Sequence, residues 1–408
     1  QEKMTVVGDQ TTTSHSVGPR TGDSYHYTLK GGWSLNLPKT TIALDLEGGY
    51  GGNKRKGEMN YKETRSVAGG SPVTEDYRSI DDYDNDENIG LGSLAVQHKF
   101  NDKGHELSGS AYYKYGGHAL EYFFNDLMSL EGQRQQGHRA YEAEHRETMR
   151  INLDYALPFG KGGKLEAGYQ YYSYLEDGDY NMEWWDPKGQ TFFWRDDIYN
   201  TFYFQEGVNS IYTILSHTWK NLEAQAGVRG EHTHTVLRSS VEGADRTKNR
   251  FEFFPSVHLG YTFLNEHRLL ASYSRRTTRP QLFYMEPYIT YRDFYTAEIG
   301  NPDIRPEYIN SFELNYRKNF GENTVSATAF HRYRKDKIER LRVPYSAGVT
   351  LDSMSNVGHD YSTGIELSVS LHPVRWWNTT VNGNVYHYKV KNEQAAGGNT
   401  TSSTNPME

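Results

Sequence analysis

Four arginines, Arg275, Arg276, Arg279 and Arg292, fall in one stretch running from Ser272 to Glu313. A guanidinium fork grips a carboxylate or phosphate through two parallel hydrogen bonds, so this grouping could hold an anionic ligand. Glu286, Asp293, Glu298 and Glu307 are interspersed with them. The same arginines could therefore pair internally and stiffen the segment, and that reading is favoured. A second aromatic group, Trp184, Trp185, Phe192, Phe193 and Trp194, offers flat faces for stacking on a sugar or an aromatic ligand. Packing within a loop, or docking of a partner, would use the same rings. The acidic run Asp81-Asp82-Tyr83-Asp84-Asn85-Asp86-Glu87 alternates carboxylates as calcium loops do, but lacks their central glycine and distal glutamate. It is expected to be a solvated loop, with a weak Ca²⁺ site as the alternative. His232 and His234 lie on one strand face without a third ligand nearby in sequence, so no metal site is assigned. No nucleophile–base series and no phosphate-cradling glycine loop is found, and the chain is not expected to be an enzyme. No cofactor is expected. The Ser272–Glu313 stretch contains no histidine, which argues against haem.

The elements that must position these groups are strands. Met149, Ile151, Leu153, Tyr155 and Leu157 share one face, with Arg150, Asn152 and Asp154 on the other. Period two with one apolar side is a strand. The pattern resumes after a short turn at Leu165, Ala167, Tyr169 and Tyr171, and the same hairpin recurs seven times along the chain. This predicts about fourteen antiparallel strands of roughly ten residues, the length that crosses a bilayer when tilted. Short turns carry Phe100, Phe159, Trp219, Phe263, Phe320, Trp376 and Trp377. Long polar loops are expected at 51–88, 116–148, 176–208, 235–250, 275–308 and 335–358. Short aromatic turns on one side and long loops on the other are the asymmetry of a transmembrane barrel.

Composition agrees. The chain of 408 residues has no cysteine, 39 glycines, 33 tyrosines and a mean hydropathy of −0.83. No apolar run approaches the ~20 residues of a spanning helix, and a barrel needs none. The net charge of −8 argues against a nucleic-acid partner. The predicted fold is therefore an all-β, antiparallel, up-and-down transmembrane barrel over residues 1–408.

The pattern Tyr273-Ser274-Arg275-Arg276, Arg279-Pro280, Glu286-Pro287-Tyr288, Tyr291-Arg292-Asp293, Gly300-Asn301-Pro302 and Arg305-Pro306-Glu307 resembles the barrel of TonB-dependent outer-membrane receptors. The resemblance is to the outer membrane β-barrel family of Bacteroidetes type, and it continues through Ser311–Tyr316, Asn356-Val357-Gly358 and Gly364–Leu367. It implies a barrel of 22 strands occluded by a plug domain and taking up a scarce nutrient with energy from TonB. It implies outer-membrane lipid around the wall, short turns in the periplasm and long loops outside. Neither a plug nor a terminal aromatic strand is recognised, so the chain is expected to be the middle of a longer barrel. The ligand-binding set suggested is Arg275, Arg276, Arg279, Tyr288, Tyr291, Arg292, Trp184, Trp185 and Trp194. The competing expectation is a scaffold barrel whose long loops dock a surface lipoprotein.

Overall fold

A computed structural model describes residues 2–392, except 8, 9, 68, 265, 295, 347 and 348. The side chains of 2–7, 10, 119, 120, 292, 293 and 392 are likewise outside the described set. Two short strands come first, β1 (Glu2–Val7) and β2 (Gln10–Val17). They are followed by β3 (Arg20–Asn36), β4 (Thr40–Val67), β5 (Val73–Lys99), β6 (Glu106–Met128), β7 (Arg134–Phe159) and β8 (Gly163–Asp186). After a four-residue β9 (Thr191–Trp194) come β10 (Asn200–Trp219), β11 (Leu222–Ser239), β12 (Arg246–Phe263) and β13 (His267–Thr278). A single 3₁₀ turn at Leu282–Tyr284 leads to β14 (Ile289–Asp293) and β15 (Thr296–Ile299). The chain continues through β16 (Glu307–Phe320), β17 (Asn323–Lys335), β18 (Ile338–Ser346), β19 (Val349–Asn356), β20 (Gly358–Val374) and β21 (Trp377–Asn392).

Among the described residues seventeen strands form one sheet. From β3 onward each long strand pairs antiparallel with the next, through β8 to β10–β13, β16, β17, β20 and β21. Those long strands number fourteen among the described residues, as the hairpin count predicts. Their length does not. β4 has 28 residues and β5 has 27, against the roughly ten that a membrane requires. The segments expected as loops at 51–88 and 116–148 are mostly paired strand: Arg65 still faces Val73, and Met128 faces Arg134. The 176–208 and 235–250 segments are likewise largely strand.

Alternation sorts the side chains. Ile211 (69% exposed), Leu215 (53%), Leu259 (50%) and Ile365 (53%) point outward with no protein over them. A contiguous apolar band of this kind is stable against lipid and not against water. It lies toward the short turns, where Trp219 and Trp377 are both 52% exposed at its border, as an interfacial aromatic girdle would be. The opposite face buries Glu176, Ser210, Glu231, Thr233 and Glu252. Among the described residues no helix is long and apolar enough to cross a membrane, which leaves crossing by strands untouched. Leu215 sits four residues before the turn-flanking Trp219, within the apolar band. Leu215→Arg is expected to destabilise the folded barrel in lipid by about 2–4 kcal/mol, read as a lower urea midpoint of the heat-modifiable band.

Candidate functional site

The segment between β13 and β16 folds back onto the inner wall and does not stand away from the barrel. Leu282, Met285, Tyr288 and Ile304 are buried in one cluster with Ala140, Tyr180, Met182, Phe202, Phe204 and Leu237 of β7, β8, β10 and β11. Tyr288 is 3% exposed, with its ring 6.0 Å from that of Tyr180 and 6.3 Å from that of Phe202. Trp184 meets Tyr291 edge to face at 5.8 Å. The neck of the segment is tied by Gly300 N–H donating to the Glu286 carbonyl (2.7 Å) and Asn301 N–H to the Tyr284 carbonyl (2.7 Å). Asp303 takes a two-point grip from Arg246 at 2.8 and 3.0 Å, and Lys248 Nζ donates to the Pro302 carbonyl at 2.7 Å. The 335–358 segment is also structured. Its hairpin β18–β19 joins β14–β15 in a four-stranded sheet, with β15 parallel to β19. Arg340 lies 3.5 Å from Glu298, and Arg305 donates to Asp336 at 2.7 Å.

The arginines do not act as a set. Arg279 turns to the barrel wall, pairing with Glu231 and lying 3.8 Å from Glu206. This corrects the expectation that it pairs within its own segment; the wall carboxylates face inward where the segment docks. Glu298 and Glu307 likewise pair with Arg340 and Arg334, both outside that segment. Arg275 lies 5.1 Å over the Tyr308 ring, while Arg276 is exposed. The side chains of Arg292 and Asp293 lie outside the described residues. Trp185 and Trp194 separate from Trp184. Trp185 stacks under Arg134 (4.8 Å), and Trp194 meets Tyr141 (5.4 Å) at 49% exposure.

Inside the upper wall lies a cavity of about 720 Å³. Its lining includes Arg20, Arg55, Tyr61, Asp81 and Tyr83 from β3–β5, and Glu121, Phe123 and Asn125 from β6. Ala140, Glu142 and Glu144 of β7 and Tyr180 of β8 continue the wall, and Phe283, Glu286, Thr290, Tyr291 and Phe294 close it from the folded-in segment. Of the suggested ligand-binding set, Tyr291 alone lines it among the described side chains, together with Asp81 and Tyr83 of the acidic run and Glu286. Its lining residues from Glu121 to Glu144 were hidden by treating 116–148 as a loop. Period two persists there, with Glu121, Phe123 and Asn125 alternating against Tyr122 and Phe124, and that signal would have placed them on one strand face.

The acidic run is strand, not loop. It lies in β5 with Asp82 facing Lys56 and Asp84 facing Lys54. Lys54 Nζ reaches Asp84 at 2.6 Å, and this hydrogen bond holds the lysine above its ordinary range. Tyr122 also donates to Asp84 (2.8 Å) and Tyr25 to Asp86 (2.5 Å). His232 stacks on Phe251 at 4.4 Å, and His234 contacts Asn249 at 2.9 Å. Among the described residues no three His, Asp or Glu converge to hold a metal ion.

His138, 3% exposed, packs 4.5 Å from Phe294 with no partner on Nε2. Burial pushes its pKa down to about 4. The unfolded or released state binds the proton first, so docking of the segment is fully kept above the ordinary histidine value. It weakens as pH falls from about 6.5 to about 4, by on the order of 3 kcal/mol in all, and loses nothing further below that. Hydrogen-exchange protection factors over 282–304 are expected to fall across this window, and to lose that slope in His138→Gln.

A profile described as "Outer membrane protein beta-barrel family" matches residues 98–407. No curated protein matches the sequence. Among solved structures, the siderophore receptor PiuA from Acinetobacter baumannii superposes with a TM-score of 0.55 at 12% identity, over 98% of this chain and 67% of that one. The ferric citrate transporter FecA gives 0.55 at 12% identity over 96% and 61%, and the copper transporter OprC gives 0.54 at 10% over 92% and 62%. At these identities the likeness is one of fold. The chain spans about three fifths of the length of FecA and OprC.

Proposed function

The chain belongs to the outer membrane protein beta-barrel family, and from that premise we propose that it forms the wall of a TonB-dependent receptor of the Bacteroidetes type. In this reading a scarce nutrient is captured in the cavity between the upper wall and the folded-in 279–306 segment. It then passes inward through a pore closed by a plug domain that TonB moves. The short turns face the periplasm, and the long hairpins reach out from the cell. The observation that carries the reading is the cavity itself. It is closed by Phe283, Glu286, Thr290, Tyr291 and Phe294 and lined by aromatic and charged groups, and its volume falls within the ~300–1,000 Å³ usual for small-molecule sites. Of the residues suggested from sequence, Tyr291 is retained as a ligand contact. Tyr288, Trp184 and Arg279 instead hold the segment in place.

Deletion of the gene is expected to abolish growth at a limiting concentration of one nutrient. The intact protein should restore it, and a version lacking 282–304 should not. Undiminished growth on every limiting nutrient contradicts the proposal. One observation favours the scaffold reading instead. On the outer face of the upper hairpins, Phe124 stacks with Tyr122 (4.7 Å) and meets Tyr141 edge to face (5.7 Å), and Arg139 lies 3.8 Å over Phe192. A surface lipoprotein could dock on that ladder, and co-purification lost in Phe124→Ser would support it.

A further inference from the structure

On the outward face of β13, β16, β17, β20 and β21 the strand register sets side chains in rows. One row is Ala271, Leu314, Ala329, Ile365 and Val385. The next, toward the long hairpins, is Tyr273, Phe312, His331, Thr363 and His387. With an alanine between Leu314 and Ile365 the wall is recessed along β17, and the groove so formed encloses about 990 Å³. Its apolar floor ends at His331, Thr363 and His387. Glu313 also borders it, but that carboxylate alternates to the inner face, 3.5 Å from Arg332. His331 stands eight positions beyond Asn323, where β17 leaves its short turn. At ~3.4 Å per residue and a tilt of about 40° that is roughly 20 Å, near the far edge of the ~25 Å apolar band.

Charge gathers just above. A third row is Arg275, Asn310, Tyr333, Tyr361 and Lys389, and β17 adds Lys335 beyond it. None of the positions in the three rows is Asp or Glu. The carboxylates nearest in sequence are engaged elsewhere: Glu307 and Asp360 by Arg334, Glu366 by Arg332, and Asp336 by Arg305. The outward face of β5, β7 and β8 above the apolar band instead carries Asp84, Asp86, Glu147 and Asp177, so the cations are no uniform collar. Thr363 Oγ lies 2.7 Å from His331 Nδ1; with the hydroxyl donating, Nε2–H is left as a donor. We propose that the groove seats an anionic lipid of the leaflet on the long-hairpin side. An acyl chain lies over Ala329 between Leu314 and Ile365, and a phosphate headgroup meets His331 and His387, with Lys389 and Lys335 above. A peptide in the same place would carry unpaired backbone N–H and C=O groups into hydrocarbon, whereas an acyl chain carries none.

The test uses the full-length protein reconstituted in phosphatidylcholine with dibrominated acyl chains. The chain has no cysteine, so Leu367→Cys, one row below the groove, carries a single bimane that the bromines quench. Leu153→Cys on β7, 49% exposed, is the reference. Replacing part of the brominated lipid by unbrominated phosphatidate restores fluorescence in proportion to its occupancy beside each label. The binding constant of phosphatidate relative to phosphatidylcholine is expected to be about fivefold or more at 367, and no more than about one at 153. Lys335→Gln with Lys389→Gln should bring the value at 367 to within about twofold of one, and Lys161→Gln in a short turn should not change it. Ala329→Leu, which fills the groove with another apolar side chain, should lower it as well. Equal values at the two labels, or a value at 367 that survives either the paired lysine or the Ala329 substitution, would overturn the proposal. So would loss of the difference on adding inorganic phosphate at constant ionic strength, because the rim would then hold a free anion and not a lipid.

Discussion

Tyr288→Ala is expected to release the 279–306 segment from the inner wall. The ring is 3% exposed between Tyr180 and Phe202 and anchors the largest buried cluster described. Truncating a fully buried aromatic costs about 3–5 kcal/mol when the cavity cannot collapse, and the facing strands are held by their own ladders. Local opening should therefore increase by a factor of about a hundred or more, read as faster hydrogen exchange over 282–304 with the barrel strands unchanged. Tyr288→Phe is the discriminating control. Its Oη is buried without a hydrogen-bond partner, so deleting the hydroxyl removes a desolvated polar atom and costs nothing in docking. Equal effects from both substitutions would mean that the hydroxyl, and not ring packing, holds the segment.

Gly300→Ala is the second large effect. A Cβ at 300 would lie 2.5 Å from the Glu286 nitrogen and 2.6 Å from its carbonyl oxygen. Both are backbone atoms, and Gly300 N–H already bonds to that carbonyl, so no side chain can move aside to relieve the clash. The neck must open, at about 1–3 kcal/mol or more, and the two hydrogen bonds closing it should be lost. Exchange at the Gly300 and Asn301 amides is the readout. Gly321 in a short turn, with φ of 59° and no atom within 4 Å of its Cβ position, is the comparison. Alanine there meets backbone strain alone.

That contrast also marks what sequence could reveal. Gly300 is recognisable as a turn glycine, and a positive φ is the natural guess. Its requirement is instead the close approach of Glu286, a residue fourteen positions away that no local pattern announces. The strand count, the short turns and the outward apolar face were readable because alternation against lipid leaves a period-two trace, as in Met149 to Leu157. The trace fades where lipid ends. From Gly51 to Val67 the β4 strand is glycine-rich and charged on both faces, which reads as loop although every residue to Arg65 is paired. The acidic run was misplaced for the same reason, since its partners Lys54 and Lys56 become neighbours only once that pairing is known. The cavity was hidden for a different reason. Its walls come from six strands and a segment more than a hundred residues later, and nothing in the 272–313 stretch says which wall it covers.

The proposed membrane-spanning wall has its long hairpins outside and the 279–306 segment packed within. Labelling of single cysteines on intact cells by a membrane-impermeant maleimide tests it most directly. Leu130→Cys at a hairpin tip should react at once, and Lys161→Cys in a short turn only after the outer membrane is opened. Met285→Cys, 6% exposed in the wild-type packing, should react slowly in both states and quickly when Tyr288→Ala is added. Rapid labelling at 285 in the otherwise native protein, or labelling of 161 on intact cells with 130 protected, would contradict the account.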